Sequence, residues 1–247
     1  MRSVKRIAAL TGRNIKEIVR DPLSIVFMIG LPVLMEILFY FLFHNATSQF
    51  EMIYLAPGML IFGQSFITLF TAMLIAADRG TSFMVRLYTT EIKSYEFLVS
   101  YALAAIPMAF SQGVVLLTAA VIIDPSFFGA GLFAALFLGI VSSLLFVSLG
   151  ILIGSVCNEK AVGGVSAGVI TGQSVLSGMW FPVKGLSSGF IKVMDVLPFR
   201  NATRAVQSVA GGYAGVDETL IPCLILLAYT AAVFALAVWV FRKKMKQ

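Results

Sequence analysis

Residues 23–43 read LSIVFMIGLPVLMEILFYFLF, twenty-one residues with one charge, Glu36. A helix of that length and composition crosses the roughly 30 Å hydrocarbon core of a bilayer. Working outward, five more such windows follow, at about 55–77, 97–123, 132–156, 162–181 and 220–241. Six windows of roughly 20 residues use about half of a 247-residue chain. The composition agrees: 59% of residues are apolar, 12% are charged, and mean hydropathy is +0.95. A soluble domain carries about 25% charged residues, so a soluble globular enzyme is excluded. Disorder is excluded too, because it needs low hydrophobicity. The expected fold is an all-α membrane protein, a single domain over 1–247 with six transmembrane helices.

Residues 1–22 place Val4, Ile7, Ala8, Leu10, Ile15, Ile18 and Val19 at near-helical spacing among six Lys/Arg. This predicts a basic amphipathic helix on an anionic membrane surface. Asp21-Pro22 then breaks or restarts it. Segment 182–217 mixes apolar residues with charges and predicts short re-entrant helices in the outer interface. Lys and Arg number fourteen in the N-terminal segment, the 78–96 and 157–161 loops and the tail, against four in the alternate loops. The positive-inside rule then puts both termini in the cytoplasm of a multi-pass cell-membrane protein. Those four, Lys184, Lys192, Arg200 and Arg204, all fall in 182–217. The net charge of +6 is therefore a topology signal and not a sign of nucleic acid. Cys157 and Cys223 fall at opposite faces, which excludes a disulfide between them. No signal-peptide cleavage pattern precedes the first span.

No phosphate loop, dinucleotide fingerprint or H-E-x-x-H motif is present. The chain therefore offers no catalytic constellation, metal set or nucleotide site of its own. Glu36 is the only carboxylate deep in a span, where an ionised group costs about 2.5–3.5 kcal/mol on insertion scales. It either lines a pathway or gate, or holds its span to a neighbour by hydrogen bonding. Gln112, Thr171 and Gln173 are the other polar groups well inside spans. Gly164, Gly168 and Gly172 repeat every four residues on one helix face, followed by Gly178. Such a face allows close helix approach, either within one subunit or at a dimer seam or moving gate. Gly150 and Gly154 share that spacing. In the 78–96 loop, Gly80 turns the chain and Thr81 or Ser82 caps a short helix bearing Phe83, Met84 and Leu87 beside Arg86. That helix packs on a partner's groove or on its own membrane surface.

Several segments, in order, resemble the membrane subunit of type-2 ABC exporters, a family of six-span permeases. They are Arg20-Asp21-Pro22 before a span containing Pro32; Asp78-Arg79-Gly80-Thr81 with Arg86-Leu87 and Thr89-Thr90; Ser177-Gly178-Met179-Trp180-Phe181-Pro182; and Leu197-Pro198-Phe199 with Ala205 and Val206. Glu91 stands where the family has proline after the threonine. The resemblance implies a separate ATP-binding subunit, with ATP and Mg held by that partner, at the cytoplasmic face. It also implies a second permease subunit, homo- or heterodimeric. Asp78, Arg79, Gly80, Thr81, Arg86 and Leu87 would form the coupling site. The function implied is ATP-driven export. A lipophilic drug, antibiotic or lipid-linked molecule fits spans with so few polar groups. Two alternatives stand beside it: an ion-coupled secondary transporter using Glu36, and a scaffold or immunity protein that transports nothing.

Overall fold

A computed structural model describes residues 2–81, 92–181 and 183–244, and among them there are helices and no strands. Helix α1 (Arg2–Val19) is the basic amphipathic segment, and it stops before Pro22. Pro22 occupies the first turn of a short α2 (Pro22–Ile25), where its missing N–H costs nothing. A π-helical turn (Val26–Gly30) leads into α3 (Leu31–Phe43). Then follow α4 (Met52–Gly80), α5 (Ser94–Ile123), α6 (Gly131–Val156) and α7 (Glu159–Leu176). Two short helices, α8 (Ser188–Val196) and α9 (Pro198–Ala210), precede α10 (Ile221–Lys244).

Five segments among the described residues are long and apolar enough to cross a membrane: Val26–Phe43, Met52–Gly80, Ser94–Ile123, Gly131–Val156 and Val216–Lys244. The expected span at 162–181 appears as α7, which is not among them. Glu159 and Lys160 open that helix, and its glycines and Gln173 dilute its apolar content. The second span is longer than expected, because α4 continues through Asp78 to Gly80. Helix α5 runs through Pro107, as α4 runs through Pro57. Helices in apolar surroundings tolerate proline when neighbours satisfy the freed groups.

Helix α4 is the core of the molecule, packed against α3, α5, α6, α7 and α9. Its Ala56, Met59, Leu60, Ile61 and Ile75 are fully buried. Gly150 and Gly154 of α6 let the α4 and α6 backbones touch. A Cβ on Gly150 would lie 2.7 Å from Thr68 O, and one on Gly154 would lie 2.7 Å from Ala72 O. Thr68 Oγ1 donates across this seam to Phe146 O at 3.0 Å. Trp180 joins α3 to α4, with ring centroids 4.8 Å from Phe39 and 5.9 Å from Phe62. Helices α3 and α10 sit at the edge and expose Leu34, Phe41, Leu42, Leu224 and Trp239. In water such a surface would aggregate; against lipid chains it is the expected exterior.

The charges of 182–217 are partly paired. Arg200 Nη1 donates to Asp195 Oδ1 at 2.5 Å, and Arg204 lies 3.5 Å from the same oxygen. The buried Asn201 amide donates to the Asp195 and Leu197 carbonyls.

Candidate functional site

The Gly80 end of α4 holds four of the six predicted coupling residues, Asp78, Arg79, Gly80 and Thr81. Asp78 is 5% exposed and is engaged by two other helices. Arg13 of α1 grips it bidentately, with Nη1 to Oδ2 at 2.7 Å and Nη2 to Oδ1 at 2.5 Å. The Tyr101 hydroxyl of α5 donates to Oδ2 as well. Burial opposes the Arg13 charge, but hydrogen bonding and attraction from Asp78 outweigh it and raise the pKa above its usual value. Asn14 Nδ2 adds a bond to Ser100 Oγ at 3.1 Å, and Ser3 donates to Glu96. The amphipathic helix is thus clasped to the adjoining ends of α4 and α5, by the fork geometry that makes Arg–carboxylate pairs strong.

Arg79 turns the other way. Its Nη1 donates to Gly154 O at 2.8 Å and Cys157 O at 3.3 Å. Lys244 Nζ reaches Val156 O at 2.9 Å. Two cations therefore satisfy the orphan carbonyls at the end of α6, where the helix dipole favours positive charge. Thr81 Oγ1 donates to Asp78 O at 2.9 Å, and Asn158 caps α7 by accepting from Ala161 N at 2.9 Å. Between these elements lies an open groove of about 640 Å³, lined by Arg79, Gly80, Cys157, Asn158, Glu159 and Lys160. Arg86 and Leu87, with the expected coupling helix, lie outside the described residues.

Three of the four predicted pathway residues are buried. Glu36 is 0% exposed, and neither carboxylate oxygen has a hydrogen-bond partner. It stands one turn along α3 from Pro32. A Cβ on Gly63 would sit 3.2 Å from the Pro32 ring and 2.4 Å from Gln112 Nε2, which puts these residues in one spot. Gln112 Nε2 donates to Met28 O at 2.6 Å, a carbonyl in the π-helical turn, while its Oε1 is unpartnered. Gln64 donates to Ala109 O at 3.1 Å and also has an unpartnered Oε1. Gln173 of α7 is buried with both amide atoms unpartnered. Thr171 is on the exposed side of α7 instead.

The two glycine runs behave differently. Gly164, Gly168 and Gly172 would meet nothing within 4 Å of an added Cβ. Helix α7 packs on α4 through Val162, Ser166, Ile170 and Gln173, so its glycine face is turned away from the other described helices. Gly178 is not part of that face. It sits past the end of α7 at φ +72°, buried against Val183 and Met194, where the left-handed turn itself requires glycine.

The family profile of ABC-2 type transporters matches residues 5–210. The chain belongs to that family. No curated protein matches it in sequence. As an ABC-2 membrane domain it is a multi-pass transport component whose family works with an ATP-binding partner.

In this ABC-2 permease the clasp residues Arg13, Asn14, Ser100 and Tyr101 were not legible as a site. Arg13 is one of six basic residues in a segment expected to lie on lipid headgroups. Its bond to Asp78 crosses 65 positions. Periodicity shows which face of a helix is apolar, but not which distant carboxylate an arginine meets. The one available signal was Asp78 itself, an acid at the end of a long apolar run.

Proposed function

We propose that the chain is the permease subunit of an ATP-driven exporter for lipophilic compounds, with six spans and both termini in the cytoplasm. The observation that carries this reading is the clasp at the Gly80 end of α4, together with family membership. An N-terminal helix bonded to α4 and α5 forms a lever, so a push from an ATPase pair would tilt both spans. The groove beside Arg79, Gly80, Glu159 and Lys160 offers that partner a polar docking surface; the family resemblance assigns Arg86 and Leu87 to the same coupling role. Helix α7 serves as the sixth span. Its Val162 packs with Ala72 and Ala76 near one end of α4, while Gln49 bonds the Gly178 and Met179 carbonyls near the other. It therefore runs the length of the α4 core. The open face of Gly164, Gly168 and Gly172 fits a second permease subunit around a shared pathway.

The test is co-purification with a candidate ATPase and measurement of ATP hydrolysis in lipid. Reversing Arg86 and Lys160 to glutamate should release the ATPase or uncouple hydrolysis. An intact, fully coupled complex after both changes would reject the docking surface. Uptake into inside-out vesicles reads the direction of transport.

The fully buried, unpartnered carboxylate of Glu36 favours one second reading, ion-coupled transport. It requires gradient-driven transport without an ATPase, abolished by Glu36→Gln. A strict requirement for ATP would eliminate it.

A further inference from the structure

The end of α10 carries an open groove of about 530 Å³ that none of the above uses. It is lined by Ala235, Val238, Trp239, Arg242 and Lys243. These positions fall at i, i+3, i+4, i+7 and i+8, so they share one face of the helix. The opposite face is anchored in the bundle. Ala237 and Phe241 are buried, the Phe241 ring stacks on Phe97 at 5.4 Å, and Lys244 Nζ donates to Val156 O at 2.9 Å. The groove face therefore looks outward, and Trp239 is 60% exposed. Lys243 Nζ stands 5.4 Å from the centre of the Trp239 ring, a cation–π contact that leaves its N–H groups available. Among the described residues no carboxylate lines the groove, and Arg242 has no hydrogen-bond or ion-pair partner.

The chemistry of the groove changes along the helix. Ala235 and Val238 continue the apolar exterior of a membrane-crossing helix. Trp239 has the amphipathic ring that settles at headgroup level, and Arg242 and Lys243 lie one turn further out. Two unopposed cations at that depth favour a ligand of net negative charge, and the planar arginine fork fits a phosphate. We propose that this face of α10 is a binding site for an anionic phospholipid. The phosphate is held between Arg242 and Lys243, the glycerol lies at the edge of Trp239, and one acyl chain runs along Val238 and Ala235. An acidic segment of a soluble protein would meet the two cations and leave the apolar half of the face uncovered. The site is separate from the exporter reading, because it needs neither ATP nor a partner chain.

Trp239 reports on its own site. The chain has one other tryptophan, Trp180, and Trp180→Phe leaves Trp239 as the only indole. Bromine on an acyl chain quenches an indole that it touches. Brominated phosphatidylglycerol and brominated phosphatidylcholine are therefore compared in liposomes that hold the purified chain. Phosphatidylglycerol should occupy the site with at least about tenfold preference, the scale of two basic side chains at an anionic lipid surface. Arg242→Gln together with Lys243→Gln should abolish that preference. Lys5→Gln together with Lys16→Gln, both exposed on α1, should leave it unchanged. Unchanged helicity and thermal unfolding show that each variant is folded. Excess inorganic phosphate should not relieve the quenching. Equal quenching by the two lipids, a preference that survives the α10 pair, an equal loss with the α1 pair, or relief by inorganic phosphate overturns the proposal. Since the readout is lipid contact alone, failure of ATP-driven transport leaves this result standing, and the converse holds.

Discussion

Asp78 concentrates what single residues contribute here. One carboxylate ties three helices, and its partners differ in kind: a fixed cation and a phenol. Breaking a buried ion pair from one side costs about 3–5 kcal/mol, because the remaining charge stays desolvated. Arg13 keeps 27% of its side chain exposed, so water compensates part of that loss. Asp78→Asn should therefore destabilise the chain by about 2–3 kcal/mol, read from unfolding in mild detergent. A double-mutant cycle isolates the pair. Arg13→Ala and Asp78→Ala together should cost at least about 1 kcal/mol less than their separate effects summed. Strict additivity would show that the clasp contributes nothing to folding and would remove the lever from the coupling proposal.

At the scale of elements, two helices with the same glycine spacing do opposite things. Gly150 and Gly154 of α6 sit where backbones meet; a Cβ on Gly154 would lie 2.9 Å from Ile75 Cβ as well as against Ala72 O. Gly154→Ala must separate α4 from α6, and overpacking of this kind costs about 1–3 kcal/mol. Gly168→Leu meets open space, so the isolated subunit should unfold at the same temperature as the parent. If α7 is a dimer seam, the same substitution should abolish pairing, measured by crosslinking in membranes. Spacing predicted a close-approach face in both helices and had no means to say which face meets α4. That depends on how α7 rotates to bury Val162, Ser166 and Ile170, a tertiary choice. The long apolar spans were legible because the bilayer sets their length. The amphipathic α1 was legible from its period. The π-turn at Val26–Gly30 and the clasp were not, since both arise from contacts between distant elements.

For the whole molecule, the question is how many times the chain crosses. Five long apolar helices put the two termini on opposite sides, and a sixth crossing returns them to the same side. Helix α7 has 18 residues, a length of about 27 Å against a hydrocarbon core of about 30 Å. The turn through Gly178 to Phe181 supplies the rest. The distribution of Lys and Arg does not decide it: if α7 crosses, the four in 182–217 stand opposite the other fourteen, and if it does not, the four in the tail do. Without that crossing the 182–217 segment would share a side with the 157–161 loop. Cys157 and Ser187 flank α7 and are both accessible. With Cys223 replaced by alanine, a membrane-impermeant maleimide should label Cys157 only from the inner side. In a Ser187→Cys variant lacking Cys157, it should label the new cysteine only from the outer side. Labelling of both positions from one side would show that α7 does not cross, would place the chain's ends on opposite faces, and would remove Lys244 from the side that an ATPase reaches.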